Sequence, residues 1–209
     1  MRVLIFGASG GIGSHVRRQA RAAGHELVLF AREPAKLEPL LEGEMAVAGD
    51  IGDAKAVAAA VAGVDAVVSA LGPTANKAEQ VALFESFARS HVNAMKAHGV
   101  RRLVTISGAG VTLPGERKPL RGRVASAMVR LFVAHVVRAN QREIEIIIES
   151  DLDWIAPRPP RVIEGERTGD YRVGSGAGGM RITQSDLADF MVQALTDDTY
   201  LRQAPLVSG

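Results

Sequence analysis

The sequence predicts an α/β protein with a Rossmann-type doubly wound parallel sheet and helices on both faces. Three observations lead there. Strand-like apolar runs alternate with helix-like patterns along the whole chain, as repeated βα units do. The first run, Val3–Phe6, is continuously apolar, which suits a strand buried on both faces. It leads directly into Gly7, Gly10 and Gly13, the strand–glycine turn–helix context of a nucleotide site.

Each element can be justified in turn. Ile12, Val16, Ala20 and Ala23 line one face of a first helix, which Gly24 ends. Glu26–Ala31 reads as the second strand and Met45–Ala48 as the third. Asp53 is placed to cap a helix over Ala54–Ala62, stopped by Gly63. Ala66–Leu71 is the fourth strand, Glu79–His98 a long helix ended by Gly99, and Leu103–Ser107 the fifth strand. Helical pattern resumes over Arg123–Ser150, in one segment or two. Leu152–Pro157 is the sixth strand, and Ser185 is expected to cap a helix over Asp186–Leu195.

Ligands of such a sheet bind at the carboxyl ends of its strands. At the first strand end, Gly7 permits a tight turn, Gly10 lets backbone approach a pyrophosphate, and Gly13 permits close helix–strand packing. The free N–H groups of the first helical turn, around Gly11, Ile12 and Gly13, then face an anion. Ser9 adds a hydroxyl donor. Strand two ends at Arg32, where an arginine suits the 2′-phosphate of NADP rather than the bare ribose of NAD. Lys36 reaches toward the same phosphate, with acidic Glu33 between them.

Strand three runs into Gly49, Asp50 and Ile51. Asp50 either accepts from the adenine amino group, with Ile51 flanking the ring, or caps the following turn. Ala70, Leu71 and Gly72 leave room for ribose and phosphates; Thr74, Asn76 and Lys77 follow in a loop that either covers the phosphates or is an ordinary polar loop. Ser107, at the fifth strand end, either sits beside the nicotinamide, to bond a substrate carbonyl or a water, or simply ends the strand. Pro157 closes the sixth strand. Arg158 or Arg161 faces an anionic substrate or the cofactor, or both are surface charges.

Composition excludes several classes. The chain has 209 residues, 47% hydrophobic and 23% charged, enough for a real core in one large domain. A net charge of +2 with 4% aromatics argues against nucleic-acid binding. The absence of cysteine excludes disulfides, thiolate metal sites and a cysteine nucleophile. The five histidines, at 15, 25, 91, 98 and 135, have no ligand spacing, so no metal is expected. The N-terminus reads as a strand and no apolar run has membrane-spanning length, which predicts a cytoplasmic protein without a membrane partner.

GASGGIG, the Ala-Arg end of strand two, GDI, SALG, TIS and LDWIAPRPP occur in the order of the atypical short-chain dehydrogenase/reductases, and the chain resembles that family along its whole length. The branch containing flavin reductase/biliverdin reductase B and NmrA-like proteins is most similar, including Ala94–Val100. The resemblance implies NADP in an extended pose and a substrate pocket above the nicotinamide. It carries Gly7, Gly10, Gly13, Arg32, Lys36, Asp50 and Ser107 into cofactor or site roles. The Tyr-x-x-x-Lys pair of the family's classical members is missing. Neither Tyr171 nor Tyr200 has a lysine four residues on, and the pair's places fall near Val136 and Asn140. The flavin reductase branch also lacks the pair; its histidine after the proline pair is replaced here by Arg161.

The expectation is one NAD(P)-binding domain over residues 1–209, with a substrate pocket from residues 109–123 and 162–181. It would be an NADPH-dependent reductase, NADH being the lesser cofactor. Hydride would pass directly to a flavin, quinone or similar small conjugated acceptor, with Ser107 and Arg161 as the catalytic pair. The alternatives are a non-catalytic NADP sensor of NmrA type and an epimerase/dehydratase-like protein. Monomer and homodimer both remain open. The basic stretch Arg117–Arg130 (Arg117, Lys118, Arg121, Arg123, Arg130) reads as a pocket wall or a solvated helix entry, and Leu131, Phe132, Val133, Val136 and Val137 as core or an oligomer face. Gly174, Gly176, Gly178 and Gly179 make Glu164–Gly179 a lid or a surface loop.

Overall fold

A computed structural model describes residues 1–116, 120–174 and 177–209, with backbone only over 120–132. The basic stretch, Leu131, Phe132 and Gly176 therefore lie outside the described side chains. Six parallel strands form the sheet: β1 (Arg2–Phe6), β2 (Glu26–Ala31), β3 (Glu44–Ala48), β4 (Ala66–Ser69), β5 (Arg102–Thr105) and β6 (Asp153–Ile155). Their order, β3-β2-β1-β4-β5-β6, reverses direction between β1 and β4. The crevice at such a reversal is where a doubly wound sheet binds its ligand.

Strand alternation decides which helices each side chain meets. Leu4, Phe6, Val67 and Leu103 turn toward one layer, which holds α2 (Ala54–Val61), α3 (Ala78–His98) and α4 (Leu120–Ile148). Val3, Ile5, Val68 and Val104 turn toward the other, which holds α1 (Gly11–Ala22) and α5 (Gln184–Gln193). Each fully buried Leu, Ile or Phe contributes about 1.5–3 kcal/mol. The helical stretch before β6 is two helices meeting at Val133, where φ is −134°. Asn76 spans the break, its Oδ1 accepting from the His135 N–H at 2.8 Å.

Helix punctuation follows local chemistry. Asp53 caps α2 by accepting from the N–H groups of Lys55 and Ala56, and Gly99 ends α3 at φ 70°. One cap differs from expectation. Thr183, not Ser185, caps α5, its hydroxyl accepting from the Asp186 N–H, and the helix begins at Gln184. Ser185 is buried inside the first turn, its carbonyl and hydroxyl accepting from Gln19 of α1.

Four two-residue strands were not anticipated: β7 (Val162–Ile163), β8 (Arg172–Val173), β9 (Ile182–Thr183) and β10 (Val207–Ser208). They pair β7 with β9 and β8 with β10. They also help fix the stretch read as a lid or surface loop. Asp186 accepts from the Thr168 and Gly169 N–H groups and the Thr168 hydroxyl, and Arg167 pairs with Asp189. No helix among the described residues is long and apolar enough to cross a membrane.

Candidate active site

The glycine turn is built by exclusion of side chains. Gly7 leaves β1 at φ +83°, a conformation L side chains rarely adopt. A Cβ on Gly13 would stand 1.9 Å from the Gly7 carbonyl oxygen, so only glycine lets α1 begin so close to the strand. Gly10 donates its N–H to that same carbonyl at 2.9 Å. No side chain caps α1 and no acidic residue stands in its first turn. That helix end therefore keeps its positive potential for an anion.

A cavity of about 210 Å³ opens beside this turn. Gly7, Ser9, Arg32, Lys36, Asp50, Ile51, Leu71, Gly72 and Thr74 line it. Phe30, Ala31, Glu33, Gly49, Gln80, Leu83 and Phe84 complete its wall. The sequence had offered Gly49 only as a strand end; a Cβ there would lie 2.4 Å from the Phe30 ring.

Three polar groups in this wall are already engaged. The Lys36 ammonium sits 2.8 Å from the Glu33 carboxylate, with both side chains largely exposed. That hydrogen bond and the lysine charge hold the Glu33 pKa below its ordinary value. Asp50 lines the cavity and also caps the following turn, its Oδ1 accepting from the Gly52 N–H at 2.8 Å. The Thr74 N–H donates to the Gln80 side chain at 3.1 Å, which anchors the loop after β4.

The fifth and sixth strand ends supply a different environment. Ser107 does not line the cavity. It is buried, its N–H donating to the Pro157 carbonyl at 2.9 Å, and its hydroxyl has no protein partner. Asn140 puts its amide nitrogen 3.5 Å from where a Gly108 Cβ would be. Arg158 is a structural residue, which corrects its reading as a substrate contact or a surface charge. Its guanidinium forks onto Glu116 at 2.9 and 3.0 Å and also donates to the Val111 and Ala204 carbonyls. Arg161 is exposed, and its carbonyl accepts from the Ile182 N–H.

Other expected residues fall outside this cavity. Gly10, Gly11, Ile12 and Gly13 form the start of α1, and Ala70 donates its N–H to the Phe6 carbonyl. The Asn76 side-chain oxygen accepts from the His135 N–H at the α4 break. Both tyrosines pack on Phe190 of α5, with ring centroids 6.5 and 5.9 Å away. The Tyr171 hydroxyl donates to Asp189. They belong to the opposite face of the sheet from α4. Among the described residues, no three His, Asp or Glu side chains are grouped to hold a metal.

Two residues escaped the sequence reading. Gln184 lies against the dinucleotide turn, its amide 2.6 Å from where a Gly11 Cβ would be. Glu143 is buried, with burial raising its carboxyl pKa from 4.5 to about 8 against the opposing Thr105 hydrogen bond. A signal for Glu143 existed. It lies four residues from both Ala139 and Ile147, each fully buried, so a carboxylate stands on the apolar face of its helix.

Comparison with known proteins bears on this geometry. Over 120 residues the chain is 32% identical to a 2-alkyl-3-oxoalkanoate reductase of Stenotrophomonas maltophilia, a match covering 54% of this chain. The chain spans about a third of that reductase, 34% of its length. The oxidoreductase ylbE of Lactococcus lactis superposes with a TM-score of 0.82 at 16% identity, covering 100% of this chain and 91% of the other. ChuY, an anaerobilin reductase of Escherichia coli O157:H7, superposes with a TM-score of 0.78 at 20% identity, covering 100% and 97%. At such identities the likeness to these two structures is one of fold. The NAD(P)H-binding family model matches residues 7–198, from the first glycine of the turn past the end of α5, and the chain belongs to that family.

Proposed function

We propose that the protein is an NADPH-dependent reductase that passes hydride directly to a small conjugated acceptor, such as a flavin or quinone. The observation that carries the reading is the cavity joining the Gly7 turn to Arg32, Lys36 and Asp50 at the strand ends. Its chemistry suits an adenine nucleotide whose ribose carries a phosphate. Arg32 and Lys36 are the two cations on its rim, and an arginine fork matches phosphate geometry. Asp50 and Ile51 flank the adenine end, and the open N-terminus of α1 takes the pyrophosphate.

The bound nicotinamide supplies hydride. The chain's own residues orient the partners and exclude water. Ala70, Leu71, Gly72 and Pro157 border the path from pyrophosphate to nicotinamide, and Ser107 stands at its end. Exposed Arg161 is the residue left to meet an anionic edge of the acceptor, in a pocket drawn from residues 109–123 and 162–181. The whole forms one NAD(P)-binding domain. Direct transfer fits a chain with Val136 and Asn140 at the places of the classical tyrosine and lysine.

One observation favours a second reading, an NADP-binding sensor without turnover: the Ser107 hydroxyl is buried away from the cavity. A paired titration with NADPH and NADH, followed by nicotinamide fluorescence, tests the shared part. NADPH is expected to bind the more tightly; equal affinities count against the phosphate site. Steady NADPH oxidation with menadione or FMN then separates the reductase from the sensor.

A further inference from the structure

Among the described residues, a row of buried polar groups lies between the sheet and α3/α4. Thr105 of β5 donates its hydroxyl to Glu143 Oε1 of α4 at 3.2 Å, and both residues are buried. Ser69 is the registered neighbour of Thr105 on β4, so it shares that face. Ser107 continues the face two residues beyond Thr105, at the strand end. The Ser69 and Ser107 hydroxyls are fully buried with no protein partner. His91 of α3 completes the group. Its Nδ1 is 2.8 Å from the Phe87 carbonyl, and its buried Nε2 has no partner. The ring lies 4.6 Å from that of Phe87, which in turn meets Phe6, the strand neighbour of Ser69.

The geometry points to Glu143 as the proton store of the reductase site, feeding the acceptor through Thr105, bridging waters and Ser107. The inference rests on the reductase reading above. Buried hydroxyls without protein partners take a water. Side chains two apart on a strand stand about 7 Å apart, a gap that takes two hydrogen-bonded waters, since one joins oxygens no more than about 5.6 Å apart.

The balance is simple. The acceptor gains one hydride from NADPH and one proton on the oxygen or nitrogen that collects the charge. Ser107 gives that proton and takes one from the waters, which take one from Thr105. Thr105 takes one from protonated Glu143, whose carboxyl O–H turns to the Thr105 oxygen for this step, the reverse of the bond in which Thr105 donates. The products are NADP⁺, the reduced acceptor and a Glu143 carboxylate, which solvent later reprotonates. Glu143 touches neither acceptor nor cofactor, so it is a positioning residue that acts through Ser107.

The surroundings keep Glu143 neutral and ready to donate. Burial pushes its pKa up to about 8. From α3, His91 is pushed down to about 4 by burial, and so brings no charge. From the sheet, the hydroxyls of Ser69, Thr105 and Ser107 face this layer. At the β6 edge, Arg158 is matched by Glu116, and on α4 Arg142 pairs with Glu145. A glutamine would satisfy the Thr105 hydroxyl without the cost of a buried acid, so a purely structural role does not require glutamate here.

The test uses wild type, E143Q and T105V, the last guarding against a folding defect in E143Q. In the apo protein, carboxyl-carbon NMR of ¹³C-labelled glutamate should show one carboxyl titrating near pH 8 that vanishes in E143Q. With menadione as acceptor, wild-type kcat should fall as pH rises through that value, with a solvent isotope effect in D2O. Both variants should lose at least about tenfold in kcat, lose that pH dependence and keep the NADPH affinity. A Glu143 that titrates in the ordinary carboxylate range overturns the proposal. So do variants that match wild type in kcat and pH profile while wild type turns over, which leaves the reductase reading intact. A wild type that binds NADPH yet oxidises none with menadione or FMN overturns the reductase reading, and the relay with it.

Discussion

Arg32, Lys36 and Glu33 line one end of the cavity with three charges, two positive and one negative. The guanidinium of Arg32 is the group best shaped for a 2′-phosphate. Arg32→Ala should weaken NADPH by about tenfold or more, the size of a lost charge-assisted pair, and leave NADH almost unchanged; fluorescence titration of both cofactors checks this. Glu33 ties up Lys36 at 2.8 Å in the absence of ligand. Glu33→Gln should therefore free the lysine and tighten NADPH severalfold at low salt, with the gain fading as salt is raised. Gly13 is constrained differently. Its missing Cβ would sit 1.9 Å from a carbonyl oxygen, so Gly13→Ala should cost about 3 kcal/mol or more, read as a lowered urea midpoint together with lost cofactor binding.

At the scale of elements, the α5 N-terminus is the anchor of the chain after β6. Burial raises the Asp186 pKa, but hydrogen bonds from Gly169, Thr168 and Thr183 outweigh it and hold the carboxyl below its ordinary value. Asp186→Ala removes acceptors from two backbone N–H groups and two hydroxyls at once. It should destabilise the protein by about 2–4 kcal/mol and speed amide exchange at Thr168 and Gly169, measured by hydrogen exchange. Helices and strands were largely legible, because 3.6- and 2-residue periodicities and glycine stops are local signals. Glu26–Ala31 matches β2 at both ends, and Gly99 stops α3 as expected. The two-residue strands were not legible. Each is held by a single distant pairing, such as Val207 with Val173, and so leaves no pattern in its own neighbourhood.

For the molecule as a whole, two buried ionisable groups shape stability against pH with opposite signs. His91 is lowered from 6.5 to about 4. Between those values the unfolded chain binds the extra proton, so this contribution makes stability rise with pH. Glu143 is raised from 4.5 to about 8. In that window the folded protein holds the extra proton, so stability falls as pH rises. The two nearly cancel below pH 6.5, and above it Glu143 acts alone. Stability should drop by about 2 kcal/mol from pH 6.5 to 8, and E143Q should flatten the decline. Urea melts across that range decide it, and a wild-type curve that is level and matches E143Q would contradict the assignment.

The sequence by itself determined the layered α/β architecture, the glycine turn and the cation at the end of the second strand. These depend on neighbours within a few residues and on strand ends that a parallel sheet must place together. It also shows that neither Tyr171 nor Tyr200 has a lysine four residues on, a matter of residue identity alone. Only the tertiary structure decided what each polar side chain does once placed. It locked Arg158 onto Glu116 and set the Asn76 side chain against the α4 break. It also brought Ser69, Ser107, Thr105 and Glu143 together in one buried layer. The physical reason is that a charge or hydroxyl takes its role from the partners and burial that distant segments bring to it. Arg158 meets Ala204, and Thr105 meets Glu143, only when the chain has closed on itself.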